Sequence, residues 1–267
     1  LQTFTADTIT IDSKSDDFII KGGTLWDGRS LHDIYKEGSL PWEWHNELFI
    51  LAKEIGLVCF SSPFDISAVD FLEELNTPIY KIASPEITDI PLIKYVAKKN
   101  KPIIISTGMA KFTDIELAIN TCRSLGNNKI TLLKCTSSYP APIDEANLLM
   151  MKQYKKDFNV QVGISDHTLG SMIPIIAVAL GAKVIEKHFI LDKNVGGLDS
   201  SFSLDFKEFS KMVREVRLTE KSLGHISYNL TEKQISARQF SRSLYVSKKI
   251  NKGDKFSKDN VKSVRPG

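Results

Sequence analysis

VQVGISDHTLGSMIPIIAVALGAKVIEKHF, residues 160–189, contains one complete unit of an architecture that recurs through the chain. A β-branched apolar run from Val160 ends in polar residues, and an apolar stretch of helical character follows at Met172–Leu180. A second short run from Lys183 ends in polar groups again. Neither run alternates strictly, as expected of parallel strands covered on both faces. Working outward, similar runs start at Leu57 (LVCFSSPF), Ile79 (IYKIAS), Pro102 (PIIISTG) and Ile130 (ITLLKCTSSYP), 22 to 30 residues apart. That spacing holds a strand, a loop, a helix and a return loop. Helical patterns fall between the runs at Ile66–Leu75, Ile90–Lys99 and Asp114–Leu125, with Asp65 and Thr113 placed as caps.

Six such units leave two arrangements, an open doubly wound sheet and a closed eight-stranded barrel. No GxGxxG or Walker-type loop follows a run, which argues against a nucleotide-binding open sheet. Polar residues gather where all six runs end, the rim at which barrels carry their sites. The expected fold is therefore α/β, a (β/α)8 TIM barrel. With Leu1–Thr3 as the tip of a further strand, the chain is expected to hold strands two to eight and to lack the first. We expect the barrel over residues 1–223, a polar linker over 224–236, and the start of a small β-rich module over 237–267. Residues 4–56 break the rhythm with KGGTLWDG (21–28) and PWEWH (41–45), which hold all three tryptophans. This long insert is expected either to contribute to the site or to cap the barrel as a packed Ω-loop.

The net charge of +3 does not argue for a nucleic-acid or membrane partner. It is unevenly placed: residues 237–267 carry nine Lys and Arg against Asp254 and Asp259, a net +7, whereas the preceding 236 residues carry −4. Such a shift marks a module boundary. Cys59, Cys122 and Cys135 have no metal-ligand spacing and fit a reducing cytoplasm. No apolar run approaches the ~18 residues of a membrane span.

Two groups of residues suggest chemistry. His167 and His188 end neighbouring strands, so their imidazoles lie side by side at the rim. A pair with open positions suits a borderline cation such as Mn²⁺, Zn²⁺ or Co²⁺, and spacing alone does not name it. Ser62, Ser84, Ser106, Ser137 and Ser165 end successive strands, with Lys81 on the fourth. Hydroxyls and an ammonium supply donors and charge for a phosphate or carboxylate. Ser also favours strand-to-loop turns in its own right. Asp199, beyond the last strand, is placed to bind a hydroxyl or a metal-bound water, or is an ordinary turn residue.

The strings CFSSPFD (59–65), YKIASPEITD (80–89), PIIISTGMA (102–110), LKCTSSYPAP (133–142), GISDHTLG (163–170) and VIEKHF (184–189) resemble, in this order, the motifs of the N-acetylneuraminate (sialic acid) synthase family. RSLYVSKKINKGDKFSKDNVKSVRPG (242–267) is similar to the opening of that family's antifreeze-like (SAF) domain. The resemblance implies condensation of phosphoenolpyruvate with an amino-sugar aldehyde. It places phosphoenolpyruvate on Lys81, Ser84, Ser106, Ser165 and Ser62, with Ser137 standing where the N-acetylneuraminate enzymes have Asn. It implies a divalent metal on His167 and His188, Mn²⁺ ahead of Co²⁺ or Mg²⁺, and sugar contacts from Tyr139, Asp199 and Gln2. Arg265 matches an arginine that reaches the partner subunit's site in a domain-swapped homodimer.

DFIIKGGTLWDG (17–28) and PWEWH are similar to the pseudaminic acid branch of the family, which implies 2,4-diacetamido-2,4,6-trideoxy-L-altrose as the sugar. Three alternatives stay open. One is an N-acetylneuraminate or legionaminate synthase acting on another amino sugar. The second is a non-catalytic sugar-phosphate-binding barrel, and the third an aldolase with Lys81 as Schiff-base nucleophile. A glutamate and a phosphoenolpyruvate-binding lysine of the family would lie upstream of Leu1, so the chain by itself is expected to be inactive.

Overall fold

Ile103, Ile104 and Ile105 form a strand because three β-branched side chains in succession suit a pleated surface covered on both sides, and all three are buried. A computed structural model describes all 267 residues, in two compact units, Leu1–Leu223 and Gly224–Gly267. The first unit contains seven strands: β1 (Gln2–Thr3), β2 (Ser62–Pro63), β3 (Tyr80–Ile82), β4 (Ile103–Ser106), β5 (Ile130–Cys135), β6 (Gln161–Asp166) and β7 (Ile185–Lys187). They run parallel in chain order: β1 pairs with β2, a bridge from Ser61 to Tyr80 continues to β3, and β3 to β7 form one five-stranded sheet. This is an α/β, parallel half-barrel arrangement, the coarser part of the eight-stranded barrel that the spacing implied.

Helices fill the crossovers: α1 (Ala6–Ile9), α2 (Leu31–Gly38), α3 (Trp42–Glu54), α4 (Ile66–Glu74), α5 (Ile90–Lys98), α6 (Phe112–Ser124), α7 (Met150–Phe158), α8 (Met172–Ala179) and α9 (Phe206–Leu223). The apolar stripes of α4 to α8 meet one face of the sheet. Ile82, Ile103, Ile105, Leu132 and Val162 pack with Leu72, Ile93, Val96, Ile119 and Met151 in one buried cluster. Asp65 caps α4 by accepting the N–H of Ser67 at 2.6 Å and of Ala68 at 3.1 Å. Thr113 does not cap α6. The helix starts two residues earlier than expected, at Phe112, and the Asp114 carboxylate takes the Lys111 N–H at 2.8 Å, so Thr113 lies within the first turn.

Two further expectations change. The run from Leu57 forms a strand only at Ser62–Pro63, and Leu57 and Val58 are exposed, because no neighbouring strand meets their backbone. The insert holds three helices, α1 to α3, joined by irregular segments, where a packed Ω-loop was one expectation. Trp42 stacks on Phe71 with ring centroids 4.8 Å apart and donates its indole N–H to the Phe4 carbonyl at 3.2 Å. The second unit, described by itself, holds α10 (Glu232–Ala237) and an antiparallel pair, β8 (Ser243–Val246) with β9 (Val261–Val264). No helix in the chain is long and apolar enough to cross a membrane.

Candidate active site

Parallel strands in register put every second residue on one face. Lys81 stands opposite Ile104, Cys135 opposite Ser165, and Ser165 opposite Glu186. One face of the sheet's C-terminal end is therefore built from Lys81, Ser106, Cys135, Ser165, His167, Glu186 and His188. The Lys81 side chain is only 5% exposed, with its ammonium 3.5 Å from Glu186 Oε2 and donating to the Ile82 carbonyl at 3.2 Å. Ser165 donates to Glu186 Oε1 at 2.6 Å. Ser84 accepts the Gly108 N–H at 3.0 Å. A Cβ on Gly108 would lie 2.1 Å from Ser137 Oγ and 2.9 Å from both Ser84 Oγ and Cys135 Sγ, so only glycine lets these groups converge. Ser106 Oγ is buried without a hydrogen-bond partner, a donor left over at the centre of the ring. Ser62 is buried in β2.

The imidazoles of His167 and His188 lie with ring centroids 5.2 Å apart. His167 Nδ1 is 3.0 Å from the Thr136 carbonyl, which can only accept, so the proton is on Nδ1 and the Nε2 lone pair is free. His188 Nδ1 is 3.1 Å from Asp199 Oδ2, and an ionised carboxylate imposes the same tautomer. Two imidazoles whose Nδ1 groups are held by acceptors and whose Nε2 atoms remain available match the usual support of metal-binding histidines. The residues thus fit a divalent cation. No cluster of three or more His, Cys, Asp or Glu side chains forms, so the remaining ligand positions would fall to substrate and water. Cys135 Sγ lies 3.8 Å from His167 Nδ1. Burial opposes charge on both groups, but their contact, joined by the Thr136 carbonyl and Glu186 at the imidazole and by Ser84 and Ser137 at the thiol, outweighs it, raising the imidazole and lowering the thiol from their ordinary values.

Tyr139 covers the pair, its ring 4.4 Å from that of His167 and 5.3 Å from Phe202. Burial pushes its phenol up to about 12. Trp26, from the insert, reaches Tyr139 at 5.9 Å. Gln2 is exposed on β1 and joins none of these hydrogen bonds, and Arg265 follows β9 in the second unit. The sequence reading missed Glu186, although alternation in VIEKHF puts it on the same face as His188. It also missed Glu86, two residues past Ser84. Glu86 Oε2 is buried without a partner, and burial pushes the carboxyl up to about 7 against the pull of Lys81.

Residues 1–228 match the NeuB family. The chain belongs to this family. Among NeuB relatives it is 48% identical to the pseudaminic acid synthase of Campylobacter jejuni serotype O:2 over 266 residues, covering 100% of this chain and 77% of the relative. It is likewise 48% identical to the pseudaminic acid synthase of Helicobacter pylori over 267 residues, 100% of this chain and 78% of the relative. A solved structure, the N-acetylneuraminic acid (sialic acid) synthetase of Leptospira borgpetersenii in complex with citrate, superposes with a TM-score of 0.73 at 31% identity. That match covers 78% of this chain and 72% of the other.

Proposed function

We propose that this NeuB chain carries a pseudaminic acid synthase site, which joins phosphoenolpyruvate to 2,4-diacetamido-2,4,6-trideoxy-L-altrose and water, giving pseudaminic acid and phosphate. The observation that carries this reading is the adjacency of two sites on one rim. An anion cradle of buried hydroxyls around Lys81 adjoins two imidazoles with free Nε2 atoms. Whole-chain identity to relatives with that name supports the choice of sugar.

In this reading Lys81, Ser84, Ser106 and Ser165 hold the phosphate, with Ser62 and Ser137 at the margin. Glu186 orients Lys81 and Ser165. Tyr139, Asp199 and Gln2 face the sugar. A divalent cation on His167 and His188, Mn²⁺ before Co²⁺ or Mg²⁺, would supply Lewis acidity at the aldehyde oxygen. C3 of phosphoenolpyruvate forms the new bond to the aldehyde carbon, whose oxygen becomes a hydroxyl. Water adds at C2, and the C2–O bond then breaks to release phosphate. Holding both substrates on one rigid rim replaces an encounter by a fixed approach, which is where the protein's own contribution is largest.

Residues 237–267, after the linker at 224–236, read as the opening of an SAF domain, with Arg265 directed to a partner subunit's site in a swapped homodimer. The free thiols fit a cytoplasmic setting. The test is product identification by mass spectrometry and NMR after incubating the intact protein with phosphoenolpyruvate and each candidate sugar. Pseudaminic acid with stoichiometric phosphate is expected. Turnover confined to N-acetylmannosamine or to the legionaminate precursor overturns the sugar assignment, and no phosphate release with any sugar overturns the synthase.

A further inference from the structure

The opposite face of the same two strands carries a pair that the reaction does not use. Asp166 and Lys187 are directly opposite residues of β6 and β7, each immediately before one of the two histidines. Lys187 Nζ lies 2.6 Å from Asp166 Oδ2, and the side chains are 1% and 2% exposed. Asp166 Oδ1 accepts the Thr168 N–H at 3.0 Å, and Lys187 also donates to the Thr168 carbonyl. These three contacts form a closed loop around the backbone of His167, gripping the residue before it and the residue after it, and tie that loop to the residue before His188.

Charges this deeply buried are costly to desolvate, so their presence asks what they do other than stabilise. Packing alone would be served as well by two apolar side chains. What a charged, bidentate link adds is a single register between the strand ends. We propose that the Asp166–Lys187 pair is the positioning element of the His167–His188 site, holding the two Nε2 atoms at the separation that a divalent cation requires. This rests on the metal reading given above.

The test uses the intact protein and two calorimetric titrations, one with Mn²⁺ and one with phosphoenolpyruvate. The variant is the near-isosteric double substitution Asp166→Asn with Lys187→Met, which removes both charges and leaves neither unpaired. A positioning role gives a folded protein whose Mn²⁺ affinity falls about tenfold to a hundredfold, while phosphoenolpyruvate affinity stays within about twofold. Unchanged Mn²⁺ affinity, or equal loss for both ligands, overturns the proposal and leaves the pair a packing feature. Should the double variant not fold, Asp166→Glu keeps the charges but displaces them. Selective, several-fold loss of Mn²⁺ affinity is expected, and wild-type affinity overturns the proposal. His167→Ala separates the two levels: if Mn²⁺ binding survives it undiminished, the metal reading fails and this inference with it.

Discussion

The rim of β6 and β7 and the helical insert of residues 4–56 use histidine in opposite ways. His45, on α3, is fully buried, and both of its ring nitrogens are engaged. Nδ1 is 3.2 Å from the Pro41 carbonyl and Nε2 is 2.9 Å from Thr3 Oγ1, which in turn is 2.7 Å from Ser61 Oγ. The carbonyl fixes the proton on Nδ1, so Nε2 accepts from Thr3 and Thr3 accepts from Ser61. That chain of neutral hydrogen bonds fastens β1 to the insert and to the start of β2. His167 and His188 are held by Nδ1 alone, and nothing in the protein occupies Nε2. The difference teaches that an imidazole open to a ligand is distinguished by the nitrogen left over rather than by exposure, since His167 is nearly as buried as His45.

The largest expected effect tests the rim side of the comparison. His188→Ala should fold normally and lose turnover by about three orders of magnitude or more, since Lewis-acid assistance is worth several kcal/mol. Steady-state rates with Mn²⁺ and with chelator check it. A variant that keeps near-native rates in chelator would place both rim histidines with His45, as packing residues.

A smaller effect, on stability rather than rate, tests the insert. His45→Ala removes the acceptor of the Thr3 hydroxyl proton and one of the bonds to the Pro41 carbonyl, which keeps the Trp44 N–H, at a cost of about 1–3 kcal/mol. Thermal melting should show the loss, while kcat of the folded enzyme stays within about twofold. Burial holds the His45 pKa below its ordinary value. As pH falls, the unfolded chain therefore takes up the proton first, near pH ~6.5. The stability that neutral His45 contributes is fully present above that pH and is lost as the pH drops toward the folded value. Wild-type Tm should fall more steeply than that of His45→Ala between pH ~6.5 and ~5. Parallel curves would remove the neutral-chain description.

Much of the rim was legible because strand ends and period-two alternation are local properties. Ser165, His167 and His188 could be put on one face from spacing alone, and the rule that placed His188 also reaches Glu186. Partner choice was not legible. That Asp199 meets His188, or that Asp166 meets Lys187, depends on inter-strand register and loop path, and neither is written in a local pattern. The run at Leu57–Phe60 misled for a similar reason: β propensity needs a neighbouring strand to become a ladder. The helices of the insert were not read from the sequence, because what holds α3 is the packing of Trp42 and His45 against Phe71, a contact with a distant segment.

The smallest expected effect concerns the place where the two regions meet. Trp26 belongs to the insert but lies beside Tyr139, whose ring is tilted against that of His167, whereas Trp44 is 56% exposed on α3. Its turn is tied locally: the Asp27 carboxylate accepts the N–H groups of Gly23 and Thr24 at 2.8 and 2.9 Å, and the Thr24 hydroxyl at 2.7 Å. Trp26 is thus presented to the rim on a preformed turn, while Trp44 faces water. An aromatic contact of this kind is worth about 0.5–1.5 kcal/mol. Trp26→Ala should therefore raise the sugar KM about two- to tenfold and leave that of phosphoenolpyruvate nearly unchanged, because the serine cradle does not touch it. Trp44→Ala should change neither. Equal effects of Trp26→Ala on both substrates would mean that the turn only covers the barrel, and an effect of Trp44→Ala on the sugar would move the acceptor's seat from the Tyr139 edge to α3.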